Sequence, residues 1–140
     1  MTFLDASVLI AMAQVNHRHH AASGGLWGYC SAKDTTVSVD TLAEVYQVLT
    51  SLPPGLRLGP RGAVLAIETF LKRITAVGLT AHEQMEALRG AANLGIGGGA
   101  IYDVVQMAVV RKVEAQHIYT WNVERLQRAA PDLAERIGTP

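Results

Sequence analysis

The chain has 140 residues, enough for one domain with a sizeable core, and its twelve basic side chains are matched by twelve acidic ones. That balance excludes a generally basic nucleic-acid coat and a binder drawn to membrane surfaces by net charge. Cys30 is the only cysteine, which excludes a disulfide framework or a cysteine-built zinc cluster. Charges break the apolar runs before transmembrane length and no basic leader opens the chain, so we expect a soluble cytoplasmic domain without a membrane partner.

The opening "TFL" is short, apolar and β-prone, and "ASVLIAMA" after it suits a buried helix. Between the two stands a single carboxylate, Asp5. "NHRHHAASGGLWGYC" reads as helical as far as a turn at Ser23–Gly25, with Leu26, Trp27 and Tyr29 packing beyond it. "TTVSV" is β-branched and alternating, a strand. "DTLAEVYQVLTSL" puts Leu42, Val45, Tyr46 and Leu49 on one helical face, opens with a Thr41–Glu44 capping box, and stops at Pro53–Pro54–Gly55.

"AVLAIETFLKR" is a second amphipathic helix and "ITAVGL" a strand. "TAHEQMEALRGAANLG" opens on Thr80 with Glu83 three residues later, a capping box that predicts a helix start. "GIGGG" reads as a flexible approach to "AIYDVVQMAVVRKV", which is apolar almost all round and predicts a central, buried helix. "HIYTW" is a strand, "NVERLQRAA" a helix, and the tail is short. Strands alternate with helices, and the gaps are too long for hairpins. The expectation is a single α/β domain over residues 1–140 with a parallel sheet covered on both faces.

Sites in such sheets form where strands end at their carboxyl edge. Asp5 follows the first strand, Glu44 follows "TTVSV", Asp103 begins the buried helix, and Asn122 follows "HIYTW". Each has a plain structural reading: Asp5 and Asn122 as N-caps, Glu44 as a capping-box residue, Asp103 as a favourable charge at a helix N-terminus. Those readings leave unexplained why all four fall on one edge, and they strain at Asp103 among Ile101, Tyr102, Val104 and Val105. Gathered carboxylates repel unless a cation joins them. Hard oxygen ligands suit Mg²⁺ or Mn²⁺, ions that lower the pKa of bound water and neutralise phosphoryl charge. The residues point to metal-assisted phosphodiester hydrolysis.

"FLDASVLIA", "LAEVYQVL", "YDVVQMAVV" and "IYTWNVERL", in this order and spacing, resemble the four motif blocks of PIN-domain ribonucleases, and of VapC-type toxins in particular. The resemblance spans essentially the whole chain. It implies a three-layer α/β/α fold with a central parallel sheet of four to five strands. It also implies an acidic metal site of Asp5, Glu44 and Asp103, with Asn122 at the fourth catalytic position and Ser7 and Thr120 as hydroxyls beside the acids. The activity implied is a Mg²⁺-dependent endoribonuclease (Mn²⁺ as substitute) cutting an RNA substrate. The implied partner is a cognate antitoxin, a short DNA-binding protein, within a homodimer or a hetero-oligomer.

Other stretches carry less. "GIGGGA" has the glycines of a phosphate loop, but no strand feeds it and no Gly-Lys-Ser/Thr follows. His17, His19 and His20 lack the further ligands zinc would want, and suit a solvated helix end near the cleft. Trp27 and Trp121 suit core packing or base stacking, and Arg57, Arg61, Lys72 and Arg73 a solvated face or an RNA or antitoxin contact. A receiver domain would need adjacent acids after the first strand and a lysine later, and Asp5 is followed by Ala6 and Ser7. A catalytically weak PIN-like module that binds RNA or a partner is the alternative that stays open.

Overall fold

The structure, a computed structural model, describes residues 1–140. Five parallel strands form one sheet in the order β3-β2-β1-β4-β5: β1 Thr2–Leu4, β2 Thr35–Ser38, β3 Thr75–Val77, β4 His117–Tyr119 and β5 Ile137–Gly138. The helices are α1 Ala6–Ala13, α2 His20–Trp27, α3 Val39–Ser51, α4 Pro60–Leu71, α5 Ala81–Asn93, α6 Ile101–Lys112 and α7 Val123–Ala129. None is long and apolar enough to cross a membrane.

The central strand β1 explains the layering. Successive strand side chains point to opposite faces. Phe3 accordingly enters one buried cluster with Met107, Val109, Ile118, Leu126 and Ile137, and Leu4 enters another with Leu9, Val37, Val45, Leu49 and Phe70. The two clusters are the two faces of the sheet. One is covered by α1, α3 and α4, with α2 packed on α1; the other is covered by α6 and α7. The expected three-layer α/β/α arrangement with a parallel sheet is what the chain adopts.

Four local readings need correction. Ser23–Gly25 is not a turn: α2 runs through it to Trp27, because packing on α1 outweighs the helix cost of Gly24 and Gly25, ~1 kcal/mol each relative to alanine. The cap of α3 is Ser38, whose side chain accepts from the Asp40 N–H at 3.3 Å, so the Thr41–Glu44 box does not form. Strand β2 passes into α3 without a loop, which carries Thr41 inside the helix, where it is buried. Tyr46 also turns away from the face that buries Val45 and Leu49.

The third correction concerns α6. Its second half is buried, but Tyr102 in its first turn is 76% exposed, so the helix is core at one end and surface at the other. The glycines before it form a built turn. Gly95 takes φ +70° and Ile96 N–H returns to Ala91 O at 2.9 Å, a Schellman closure of α5, before a 3₁₀ turn at Gly98–Ala100. The fourth is the tail, where Ile137 and Gly138 add β5 by pairing with Ile118 and Tyr119. Two residues carry no periodicity, so only the pairing reveals the strand.

Candidate active site

β1 and β4 are in register with Leu4 opposite Tyr119, so the chain leaves both strands side by side, at Asp5 and at Thr120. Asp5 N–H donates to Tyr119 O at 3.0 Å, and Thr120 N–H to Gly138 O at 3.0 Å. Both side chains are buried: Asp5 is 1% exposed and Thr120 is 0%. A carboxylate so enclosed needs donors, and it has them. Ser7 Oγ donates to Asp5 Oδ2 at 2.6 Å, Thr120 Oγ1 to the same oxygen at 2.7 Å, and Gln106 Nε2 to Oδ1 at 2.9 Å.

Asp5 is also the N-cap of α1, accepting from Ser7 N–H at 3.4 Å. The capping role and the site role coexist. The hydroxyls are themselves fixed from behind, since Trp121 N–H donates to Ser7 Oγ and Asn122 N–H to Thr120 Oγ1, each at 2.9 Å. Both hydroxyl protons point to Asp5, so the 3.3 Å Ser7–Thr120 approach is a close pairing of acceptors already engaged.

Glu44 of α3 and Asp103 of α6 line a cleft of about 1100 Å³, together with Ser38, Gln47, Gln84, Tyr102 and others. Neither carboxylate makes a hydrogen bond within the chain, whereas Asp5 beneath them is saturated on Oδ2. Removal from water pushes the Glu44 carboxyl above its ordinary range, and the nearby charges of Asp5 and Asp103 push the same way. Asp103 is raised first by burial and then by Asp5. In both cases Arg125 pulls in the opposite direction. The three acids therefore form one electrostatic unit, although they come from three separate parts of the chain.

Asn122 stands apart. It occupies the N-cap position of α7, makes no side-chain cap bond, is exposed, and does not line the cleft. Its contribution in this structure is the backbone N–H that holds Thr120 Oγ1. One helical turn on, Arg125 lines the cleft beside the acids. Its Nε lies 3.4 Å from Asp103 Oδ1 and a guanidinium nitrogen lies 4.0 Å from Asp5 Oδ1.

Arg125 and Gln106 are the residues that sequence reasoning missed, and both left a signal. Gln106 is an amide in the apolar run "VVQMAVV", and a buried amide requires a partner. It lies three residues after Asp103, on the same helical face. Arg125 is a cation in the first turn of a helix, where the macrodipole disfavours positive charge unless acids offset it.

The donor set fits a hard cation: three carboxylates, no nitrogen or sulfur ligand, and spare acceptor capacity on Asp5 Oδ1, which accepts only from Gln106. As placed, no three of the chain's acidic, histidine or cysteine side chains form a ready-made ion cage. Arg125 supplies the positive charge among the acids instead.

Of the histidines and tryptophans, Trp121 and His19 pack beside this site, where the Trp121 N–H reaches Ser7 Oγ. His19 stacks on Trp121 with centroids 3.6 Å apart and an interplanar angle of 6°, and Trp121 Nε1 donates to the buried Ser23 Oγ at 2.9 Å. His20 Nδ1 pairs with Ala11 O at 2.9 Å. Trp27 meets Phe70 edge-on, and Arg73 lies over the Trp27 ring.

Residues 2–130 match the PIN domain family. Over 136 residues the chain is 33% identical to Ribonuclease VapC27 of Mycobacterium tuberculosis, an alignment covering 96% of this chain and 90% of that protein. Among solved structures it is similar to M. tuberculosis VapC20, a sarcin–ricin loop cleaving toxin. That match has a TM-score of 0.71 and 21% identity, and covers 89% of this chain and 92% of the other. It is also similar to VapBC2 from Rickettsia felis bound to a promoter DNA fragment, with a TM-score of 0.63, 14% identity and coverage of 99% and 97%. At these identities the two structural likenesses speak for the fold alone.

Proposed function

The chain belongs to the PIN-domain family, and from that premise we propose that it is a Mg²⁺-dependent endoribonuclease, the toxin of a toxin–antitoxin pair. The observation that carries the reading is that Glu44 of α3 and Asp103 of α6 line one cleft while Asp5, buried at the end of β1, lies close enough for its charge to act on both. Each of the two cleft-lining acids is raised first by burial and then further by the charge of Asp5. Arg125 is one positive charge against three acids, and a bound cation would offset the remainder.

Asp5, Glu44 and Asp103 would hold the ion. When bound, Mg²⁺ (or Mn²⁺) supplies an activated water and neutralises charge on the phosphoryl oxygens. The chain's own residues do the rest. Ser7, Thr120 and Gln106 hold the Asp5 carboxylate in one orientation by donating to it. Glu44 would offer an unpaired carboxylate to the ion or to a water, and Asp103 one that is now paired with Arg125. The relative's name supports RNA as the substrate class, and the toxin–antitoxin relatives support a short DNA-binding antitoxin as partner. Cytoplasmic action follows from that pairing.

The test is direct. Purified protein is incubated with a structured RNA, in Mg²⁺ and in EDTA, and the products are resolved by denaturing gel. Cleavage that requires Mg²⁺ and is blocked by a co-expressed short protein from the neighbouring reading frame supports the reading. RNA binding without cleavage in either condition would mark a binding module instead.

A further inference from the structure

The acidic cleft already contains a cation, and it belongs to the chain. Of the sixteen residues lining the cleft, Arg125 is the only one with positive charge, against Asp40, Glu44 and Asp103. It is paired with Asp103 at 3.4 Å and reaches to 4.0 Å from Asp5 Oδ1, the one Asp5 oxygen left with spare acceptor capacity. Its side chain is 42% exposed, so it is free to swing into solvent without disturbing the core. The pairing sits in the first turn of α7, where the helix dipole disfavours a cation and the acids of the cleft offset that cost.

Resting on the metal-nuclease reading, we propose that Arg125 is an exchangeable counter-ion of the site. In the metal-free protein its guanidinium neutralises Asp103 and Asp5. A divalent ion takes those oxygens only by displacing it, and the released guanidinium becomes the cleft's protein contact for an RNA phosphate.

The chemistry requires such an exchange. Asp5 Oδ2 is filled by two hydroxyl donors, so an ion must approach through Oδ1 and Asp103, the atoms that Arg125 faces. An ion and a guanidinium cannot both stand there, since like charges a few ångströms apart repel. A neutral chain with an acidic cleft also needs a phosphate ligand near the ion, and a guanidinium is suited to bidentate phosphate contact. Arg125 is a positioning residue in this account: it sets how tightly the ion is held and where the RNA backbone lies.

Three measurements on the full chain test it. The first is a thermal-melting cycle in EDTA with Arg125→Ala, Asp103→Asn and the double variant. Arg125→Ala should melt below wild type, and adding Asp103→Asn should recover most of that loss. The second is Mn²⁺ titration by calorimetry, in which Arg125→Ala should bind at least about threefold more tightly than wild type and Arg125→Lys should fall between them. The third is anisotropy of a labelled single-stranded RNA in Ca²⁺, across a salt series. Losing one phosphate contact should lower the slope of log affinity against log salt by about 0.7.

Additive melting shifts in the EDTA cycle overturn the pairing. Unchanged or weaker Mn²⁺ binding in Arg125→Ala overturns the competition, and an unchanged salt slope overturns the phosphate role. Wild type that takes up no Mn²⁺ sinks the metal-nuclease reading itself, whereas the EDTA cycle judges the Asp103–Arg125 pairing without any ion.

Discussion

Thr120 Oγ1 donates to Asp5 Oδ2 at 2.7 Å, joining two residues 115 positions apart in the chain, both of them buried. The bond ties the end of β4 to the end of β1 and sets the direction of the carboxylate. It is the interaction on which the rest of the site is built.

Thr120→Val is therefore expected to cost about 1.5–3 kcal/mol, the range for a buried hydrogen bond to a charged group. It removes one of the donors on Asp5 and leaves the Asn122 N–H without its acceptor. Thr120→Ser should restore most of the loss. Urea unfolding in EDTA measures the stability, and cleavage in Mg²⁺ should fall in parallel for valine and recover for serine. A valine variant as stable as wild type would mean the bond is replaceable.

Asp5→Asn keeps a good N-cap, so a purely structural role predicts small effects everywhere. We expect cleavage to drop at least about 100-fold, the scale on which one electrostatic stabiliser of a transition state is lost. Calorimetric Mn²⁺ binding should weaken with it, and the far-UV circular dichroism should not change. Retained cleavage at saturating Mg²⁺ would return Asp5 to capping alone.

Millimolar Mn²⁺ or Mg²⁺ should raise the melting midpoint of wild type, because an ion that binds only the folded chain stabilises it by RT ln(1 + [L]/Kd), ~2.7 kcal/mol at a hundredfold excess over Kd. Asp103→Asn should gain less from the same addition. A wild-type midpoint indifferent to both ions contradicts the three-acid site.

The pH dependence follows from the direction of the shifts. Glu44 and Asp103 are raised, so the folded chain holds protons that the unfolded chain has released. Their contribution favours the metal-free fold at low pH and is lost as pH rises through the folded values. Glu83, held low by its bond to Lys112, works in the opposite sense: its stabilisation is present above the unfolded pKa and lost on acidification. Between about pH 4.5 and 7, Asp103→Asn should show a smaller fall in midpoint with rising pH than wild type in EDTA. Mn²⁺ affinity of wild type should weaken toward the acid end, since protons compete for the same oxygens. Superimposable melting profiles for the two proteins would show that Asp103 does not titrate in the cleft.

Thr80→Ala serves as the contrast. Thr80 and Glu83 form a complete capping box on α5, with Glu83 also bridging to Lys112 at 2.7 Å, and none of the three lines the cleft. Stability should fall by about 1 kcal/mol, the usual cost of losing a cap. The cleavage rate of the folded protein should hold. A loss of cleavage at a temperature where the variant is folded would show that α5 positions the site.

What the sequence determined by itself was whatever short-range chemistry writes locally. The Thr80–Glu83 box, the β-branched "TTVSV" and the long gaps between strands each follow from neighbouring residues, and together they required a parallel α/β sheet with acids at its carboxyl edge. Asp5, Glu44 and Asp103 could be placed at one sheet edge because strand ends and helix starts are local events, whereas Ser7 and Thr120 were marked only by the family resemblance. The tertiary structure decided what depends on distance. It carried α2 through two glycines by packing, moved the α3 cap to Ser38, made a strand of Ile137–Gly138, and turned Asn122 outward while bringing Arg125 among the acids. An arginine at position 125 and an aspartate at 103 are ordinary residues in sequence. The 3.4 Å between them arises only when α6 and α7 pack together, because burial and charge pairing are properties of the folded neighbourhood and not of the chain order.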